Sequence, residues 1–310
     1  MSCQLALKVD VDTLRGTLQG TPALLDLFKQ HAISATLLFS LGPDHTGRAM
    51  KRVFRPGFFA KVQRTSVLEH YGVKTLLYGT LLPAPDIGRR GHEVMLRSRR
   101  EGHEVGIHTW DHVLWQDYVT KRDAKWTRHQ MALAHRRFVE LFGEGPDTHG
   151  AAGWQMNEAA LEQLDTWGLR YASDGRIEDP ASGPYLVQLS SGRILDCVQM
   201  PTTLPTFDEL IGVDGMDAMA AAQRLLQLTA NPQRDHVFTL HSELEGQKLK
   251  PAFEALLEGW QQQGYQLGSL KAQFGQLEPS LLPVRPFAYG SIPGRSGQLM
   301  LEGISRPELH

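Results

Sequence analysis

The chain has 310 residues, of which 41% are hydrophobic and 21% charged, enough apolar material for a large core in one or two domains. Its 32 Lys and Arg against 34 Asp and Glu leave a formal net charge of −2, which excludes the global basic field of a nucleic-acid binder; any attraction to phosphate or membrane must come from a local patch. Two cysteines, Cys3 and Cys197, with no CxxC between them, exclude a disulfide framework.

The opening MSCQLALKVDVDT lacks a charged segment followed by a long apolar one, so no secretion signal is read and a cytoplasmic location is expected. No stretch reaches the roughly 18 apolar residues that a membrane span needs. In chain order, LALKVDVD (5–12) predicts a strand, TPALLDLFKQH (21–31) a helix and SATLLFSLG (34–42) a strand. Residues 43–100 read as a helical insertion after the second strand. Inside it, GRAMKRVFRPGFFAKVQR (47–64) carries six basic residues and no acid, interleaved with bulky apolar ones. That mixture suits the headgroup boundary of an anionic membrane, with Arg55, Phe58 and Phe59 as contacts. An amphipathic helix packed on the protein is the other reading. HEVGIH then predicts a strand, and TRHQMALAHRRFVELFG (127–143) and NEAALEQLDTWG (157–168) helices. LRYASD is a strand, CVQMPTTL a strand or loop, DAMAAAQRLLQLT a helix and DHVFTLHSE a strand. PAFEALLEGWQQQG (251–264) is a helix and YQLGSL a last strand. Such alternation predicts parallel strands joined by crossover helices, as an open sheet or a barrel. Residues 1–272 therefore read as one α/β catalytic unit, and the Pro- and Gly-rich 273–310 as an irregular extension. The tetrapeptide GHEV occurs at 91–94 and 102–105, which is not a repeat architecture.

Parallel α/β folds carry their functional groups at the C-terminal ends of strands. Asp10 and Asp12 end the first strand and, two residues apart, leave the same face. Converging carboxylates repel unless a cation neutralises one or the pair shares a proton. His108 ends a middle strand, His112 follows four residues later, and the two project to one side if the segment coils. Two imidazoles and a carboxylate make a ligand set with open positions, as a catalytic divalent metal requires. Solvated strand-end carboxylates and ordinary core histidines are the alternatives. HEVGIH is not the HExxH protease helix, because His103 and His108 are five apart and Gly106 interrupts them. TFDEL (206–210) looks like a further acidic motif but lies after the histidines and close behind two prolines, outside the site.

VDVDT, GHEVGIHTWDH and FTLHSE, in this order, resemble the polysaccharide deacetylase family, also called the NodB homology domain or carbohydrate esterase family four. The resemblance implies a distorted (β/α) barrel and a metal-dependent amide hydrolase. It makes Asp10 the base, Asp12, His108 and His112 the ligands of one divalent transition metal (Zn²⁺, Co²⁺ or Mn²⁺), and His241 the acid, with Leu240 lining the acyl pocket. Asp174 in YASDGR matches the fourth motif and would hydrogen-bond His241; a turn carboxylate is the bland alternative. The family's usual Arg-x-Pro-aromatic third motif is missing. HGAAGWQ stands in its place, with small residues such as Gly153 letting backbone N–H groups approach the substrate and Trp154 walling the pocket. What orients Asp10 is left open. The runs DVDTLRGTLQGTPALL, FSLGPDHTGR, AAGWQ and MPTTLPTFDELIG resemble one branch of the family over roughly residues 5–270. This branch removes the formyl group from an undecaprenyl-phosphate-linked formamido sugar. It implies that substrate as partner, attachment to the cytoplasmic face of the inner membrane, no nucleic acid, and Arg15 as a phosphodiester contact. Deacetylation of another N-acylated sugar or small amide, or non-catalytic binding of a sugar lipid, are the competing readings.

Overall fold

The computed structural model describes residues 2–49, 72, 74–295 and 297–303. Strand β1 (Gln4–Val11) is buried along its whole length and divides its side chains between two environments. Leu5, Leu7, Val9 and Val11 pack outward against the helices, sharing a cluster with Leu24, Phe28, Phe253 and Leu256. Ala6 faces the other way, among Tyr171, Val198 and Val237. The period-2 alternation of a strand thus sends Lys8 and Asp10 to the inside as well.

Parallel strands surround β1. It pairs with β2 (Thr36–Ser40) on one side and, across a different register, with β7 (His236–His241) on the other; β2 in turn pairs with β3 (Glu104–Thr109). A short β8 (Gln266–Gly268) pairs with the first residues of β1. From β3 the ring continues through short, sparse backbone pairings. Gly150 N donates to Ile107 O and Ser173 N to His149 O; beyond β4 (Tyr171–Ala172) and β6 (Val198–Gln199), Met200 N donates to Ala172 O and Thr203 N to Val237 O. The last of these links returns to β7. The expected distorted barrel is therefore present: regular on the side of β1, irregular on the side of β4 and β6.

Helices cover the outside as the parallel connections require. They include α1 (Thr21–Gln30), α2 (Ile87–Arg100), α3 (His112–Tyr118) and α4 (Ala124–Phe142), followed by α5 (Glu158–Thr166), α6 (Ala218–Leu228), α7 (Lys250–Gln262) and α8 (Leu270–Phe274). The last part of the expected insertion is thus the crossover helix α2 between β2 and β3. It buries Ile87, Gly88, Gly91, Met95 and Ser98 along one face and turns most of its arginines outward, an amphipathic pattern. GHEV falls in α2 on its first appearance and spans the entry into β3 on its second, so the same four residues take two conformations under tertiary control.

The chain beyond 272 departs from the irregular extension expected. β9 (Val284–Gly290) pairs in parallel with β5 (Leu186–Gln188) and antiparallel with β10 (Leu299–Glu302). Arg176 N donates to Met300 O and Glu302 N to Arg176 O, which fastens this sheet to the loop after β4. Leu299 and Leu301 pack against Trp154. These strands are held by backbone partners far away in sequence, which leave no local period to read. The basic and aromatic stretch with Arg55, Phe58 and Phe59 lies, from residue 50 on, outside the described residues. Among the described residues no helix is long and apolar enough to cross a membrane.

Candidate active site

The residues singled out by sequence converge where β1, β3 and β7 end. His108 sits near the end of β3. Asp111 then caps α3, its carboxylate accepting from Leu114 N, and His112 is the first residue of that helix. The two imidazoles are brought together by a strand-to-helix junction rather than by a helical turn, and their rings stack 5.3 Å apart. The loop after β2 supports the arrangement: Asp44 accepts from Leu14 N, and His45 Nδ1 bonds Asp111.

Asp12 faces both rings. His108 Nε2 is 3.2 Å from Asp12 Oδ1 and His112 Nε2 is 3.3 Å from Asp12 Oδ2. On its other side His108 Nδ1 lies 2.6 Å from Gly150 O. A carbonyl oxygen only accepts, so Nδ1 carries the hydrogen and Nε2 of the neutral ring presents a lone pair to the carboxylate. His108 Nε2 and Asp12 Oδ1 are both buried without a hydrogen bond of proper geometry. Two acceptors facing each other in a dry site call for a cation. Ligand atoms about 2.1 Å from one tetrahedral ion stand roughly 3.4 Å apart, close to the distance of each imidazole Nε2 from its nearer Asp12 oxygen. Asp12, His108 and His112 fit a divalent metal, their ligand atoms all within 4.8 Å of one another. Burial alone would push the Asp12 carboxyl up, but His112 and His108 overcome it and hold it well below the usual carboxylate range. Burial likewise opposes charge on His108, yet Asp10 and Asp12 draw its pKa above the ordinary imidazole value.

Asp10 lies beside this cluster, 3% exposed, with Oδ1 3.8 Å from His108 Nδ1 and lacking a hydrogen-bond partner. His241, half-buried, is its register partner on β7. The His241 backbone N–H donates to Glu245, while its ring Nδ1 is buried without a partner.

Two expected contacts are corrected. Asp174 does not bond His241. Its Oδ1 is 2.6 Å from His149 Nδ1, its Oδ2 accepts from Gln199 Nε2, and its own N–H donates to Gln199 Oε1, so it ties the 148–150 segment to β4 and β6. Leu240 does not line an acyl pocket. It follows Thr239 and precedes His241 on a strand, so it points to the opposite face and is fully buried in the sheet–helix core. Gly153 and Trp154 both take left-handed backbone angles, φ 62° and 54°, which turns the indole inward. Trp154 is 1% exposed, donates from Nε1 to Thr202, and is flanked by the guanidinium groups of Arg176 and Arg295. Arg15 donates from Nε to Gln19, one helical turn on in the helical segment that follows β1. The acids of TFDEL bind arginines: Glu209 takes Arg176 through both oxygens, and Asp208 takes Arg295, outside the metal cluster. His103 accepts from Ala35 N, before β3 begins and so at the opposite end of that strand from His108.

Some participants went unnoticed in the sequence. Glu243 Oε1 accepts from the backbone of Asp12 and Thr13 and from the Thr13 hydroxyl, clamping the loop that follows β1. Burial, and then Asp12, push its carboxyl well up. Burial likewise pushes Glu245 to about 7. Lys8 lies inside the barrel beside Asp10. A charged residue on the inward face of an apolar strand was the signal available for Lys8; the spacing of HSELE offered one for the two glutamates.

With this fold and this ligand set, the chain belongs to the polysaccharide deacetylase family, whose family model matches residues 6–172. It is 36% identical over 254 residues to the "Probable 4-deoxy-4-formamido-L-arabinose-phosphoundecaprenol deformylase ArnD" of Shewanella sediminis, an alignment spanning 82% of this chain and 80% of the relative. A protein of the same name from Wigglesworthia glossinidia brevipalpis is 29% identical over 283 residues, 91% of this chain and 96% of the relative. Among solved structures, a Mycobacterium smegmatis protein assigned to the polysaccharide deacetylases superposes with a TM-score of 0.62 at 17% identity, covering 99% of this chain and 95% of the other. One from Pseudomonas aeruginosa gives 0.55 at 17% identity over 84% and 85%. These two bear on the fold alone.

Proposed function

We propose that this protein hydrolyses the N-formyl group of undecaprenyl-phosphate-linked 4-deoxy-4-formamido-L-arabinose. Formate leaves, and the amino sugar lipid remains for lipid A modification and resistance to cationic peptides such as polymyxin. The convergence of Asp12, His108 and His112 beside Asp10 and His241 carries the hydrolytic reading. The extent of the likeness to the two deformylase relatives supports the substrate.

An amide resists water because water is a weak nucleophile and an amine a poor leaving group. A divalent cation held by Asp12, His108 and His112 would supply a water of lowered pKa and polarise the formyl oxygen. Asp10 accepts the proton of the attacking water through its unpartnered oxygen. His241 then donates a proton to the departing nitrogen, since an unprotonated amide nitrogen cannot leave. The C–N bond breaks, the carbon keeps the water's oxygen as formate, and the sugar keeps its amine.

The decisive experiment is formate release from the lipid-linked formamido sugar by the metal-analysed protein, with acetamido sugars as controls. Formate release with little action on acetamido substrates supports the reading. Preferential release of acetate moves the activity to deacetylation, and metal and sugar-lipid binding without turnover makes the protein a binder. We further infer that the lipid-linked substrate is met at the cytoplasmic face of the inner membrane, where the basic and aromatic stretch around Arg55, Phe58 and Phe59 would meet anionic headgroups. Liposome flotation tests this: equal flotation of the wild type and an Arg55, Phe58 and Phe59 triple substitution would end the membrane assignment.

A further inference from the structure

Lys8 is wholly buried on the inner face of β1, two residues before Asp10. Its ammonium donates to Ser173 O at 2.9 Å and stands 3.6 Å from Asp10 Oδ2. The Trp154 ring centroid is 5.4 Å away, a cation–π distance. A Met of similar length would fill this space without the cost of burying a charge, so packing by itself does not account for a lysine here.

Its surroundings are arranged for the long side chain. A Cβ on Gly150 would come within 2.8 Å of Lys8 Cε and 2.3 Å of Leu38 Cδ1, so only glycine leaves the lysine stem room. The carbonyl of that same Gly150 accepts from His108 Nδ1. One residue of the segment after α4 thus accommodates both the neighbour of Asp10 and a member of the metal cluster. Burial lowers the pKa of Lys8, and the fields of Asp10 and then Asp174 oppose it by favouring the charged form.

We propose that Lys8 is a positioning residue for Asp10, its ammonium group holding Oδ2 and leaving Oδ1 as the basic oxygen directed at the reacting water. It also balances the second of the two buried carboxylates at the strand end, the first being balanced by the metal cluster. This rests on the hydrolase reading for its chemistry, but the placement of Asp10 can be tested without turnover. Lys8 touches neither the substrate nor the metal in this scheme and acts through Asp10.

The test compares Lys8→Met, Lys8→Arg and Asp10→Ala, alone and with Lys8→Met combined with Asp10→Ala, in the full-length chain. A misplaced catalytic group costs about 100-fold. Lys8→Met should therefore lower kcat by roughly that factor, with KM and bound metal changed little, and Lys8→Arg should recover about a tenth or more of the wild-type rate. In the Asp10→Ala background Lys8→Met should add no further loss. Crystal structures should show the Asp10 carboxylate displaced in Lys8→Met and in place in Lys8→Arg. A Lys8→Met protein with kcat within about threefold of wild type, equal losses in both Asp10 backgrounds, or an unmoved Asp10 carboxylate would each overturn the proposal. If Lys8→Met does not fold, Lys8→Gln, which keeps a donor for Ser173 without the charge, is judged by the same readouts. A wild type that releases no formate refutes the substrate reading, while the Asp10 position in the crystals still decides the role of Lys8.

Discussion

Asp10 and His241 are direct register partners on the adjacent parallel strands β1 and β7. Neighbouring strands run about 4.8 Å apart, so the two side chains rise next to each other from one end of the barrel. Asp10 lies between Lys8 and His108, and His241 keeps a buried Nδ1 without a partner. Removing either should leave the metal ligands in place. Asp10→Ala and His241→Ala are each expected to reduce formate release by about 10²–10⁴-fold. Metal content, measured by elemental analysis on the same samples, should be unchanged. Near-full turnover in either variant would remove that residue from the acid–base roles.

The metal cluster makes a separate prediction. Asp12, His108 and His112 bring buried, mutually repelling acceptors together, so the folded state should bind a divalent ion far better than the unfolded chain does. Dialysis against a chelator should abolish turnover and lower the unfolding temperature. Adding back metal at about 100 times its Kd should restore roughly 2.7 kcal/mol. His108→Ala should abolish this metal-dependent increment in thermal scans. An increment of equal size in the variant would place the ion elsewhere.

Gly150 offers a steric test. The contacts awaiting a Cβ there are Leu38 Cδ1 at 2.3 Å and Lys8 Cε at 2.8 Å, both inside a packed barrel. Gly150→Ala should cost about 1–3 kcal/mol in urea unfolding, the usual range for an overpacked core. It should also lower kcat, because the lysine displaced is the one beside Asp10. A neutral substitution would mean that the barrel is looser at this point than the distances imply.

The far end of β7 governs part of the response to acid. Burial, with Arg234 adding to it, pulls His236 down to about 4 from an ordinary 6.5. Above pH 6.5 the ring is neutral in both states, and its contribution to stability is complete and constant. As pH falls from about 6.5 to about 4, the unfolded chain takes up a proton that the native site refuses, so stability drops; below 4 the loss is complete. The shift corresponds to at most about 3 kcal/mol, and solvent access to the ring trims this to roughly 2 kcal/mol. His236→Gln should flatten the stability curve over that window in urea titrations at several pH values. Parallel curves for wild type and variant would assign the acid sensitivity to other groups.

The chemistry-bearing residues were legible because each is fixed by strictly local patterns. Alternation along VDVD sends two carboxylates to one face, GIHTWDH delivers a histidine near a strand end and another at the start of the following helix, and HVFTLHSE ends a strand in His241. Their order along the chain was enough to align them with a family, and apolar runs alternating with amphipathic segments were enough for an α/β barrel. Three-dimensional arrangement alone decided which groups serve them. Strand register carries no local signature, so nothing in YASDGR could disclose that Asp174 meets His149 and Gln199 rather than His241. The sheet formed by β9 and β10 is held by partners remote in sequence, at β5 and at Arg176. Lys8 was visible as a charge in an apolar strand, but its worth depends on how close Ser173, Gly150 and Asp10 come, and such distances arise only when strands remote in sequence close into one ring.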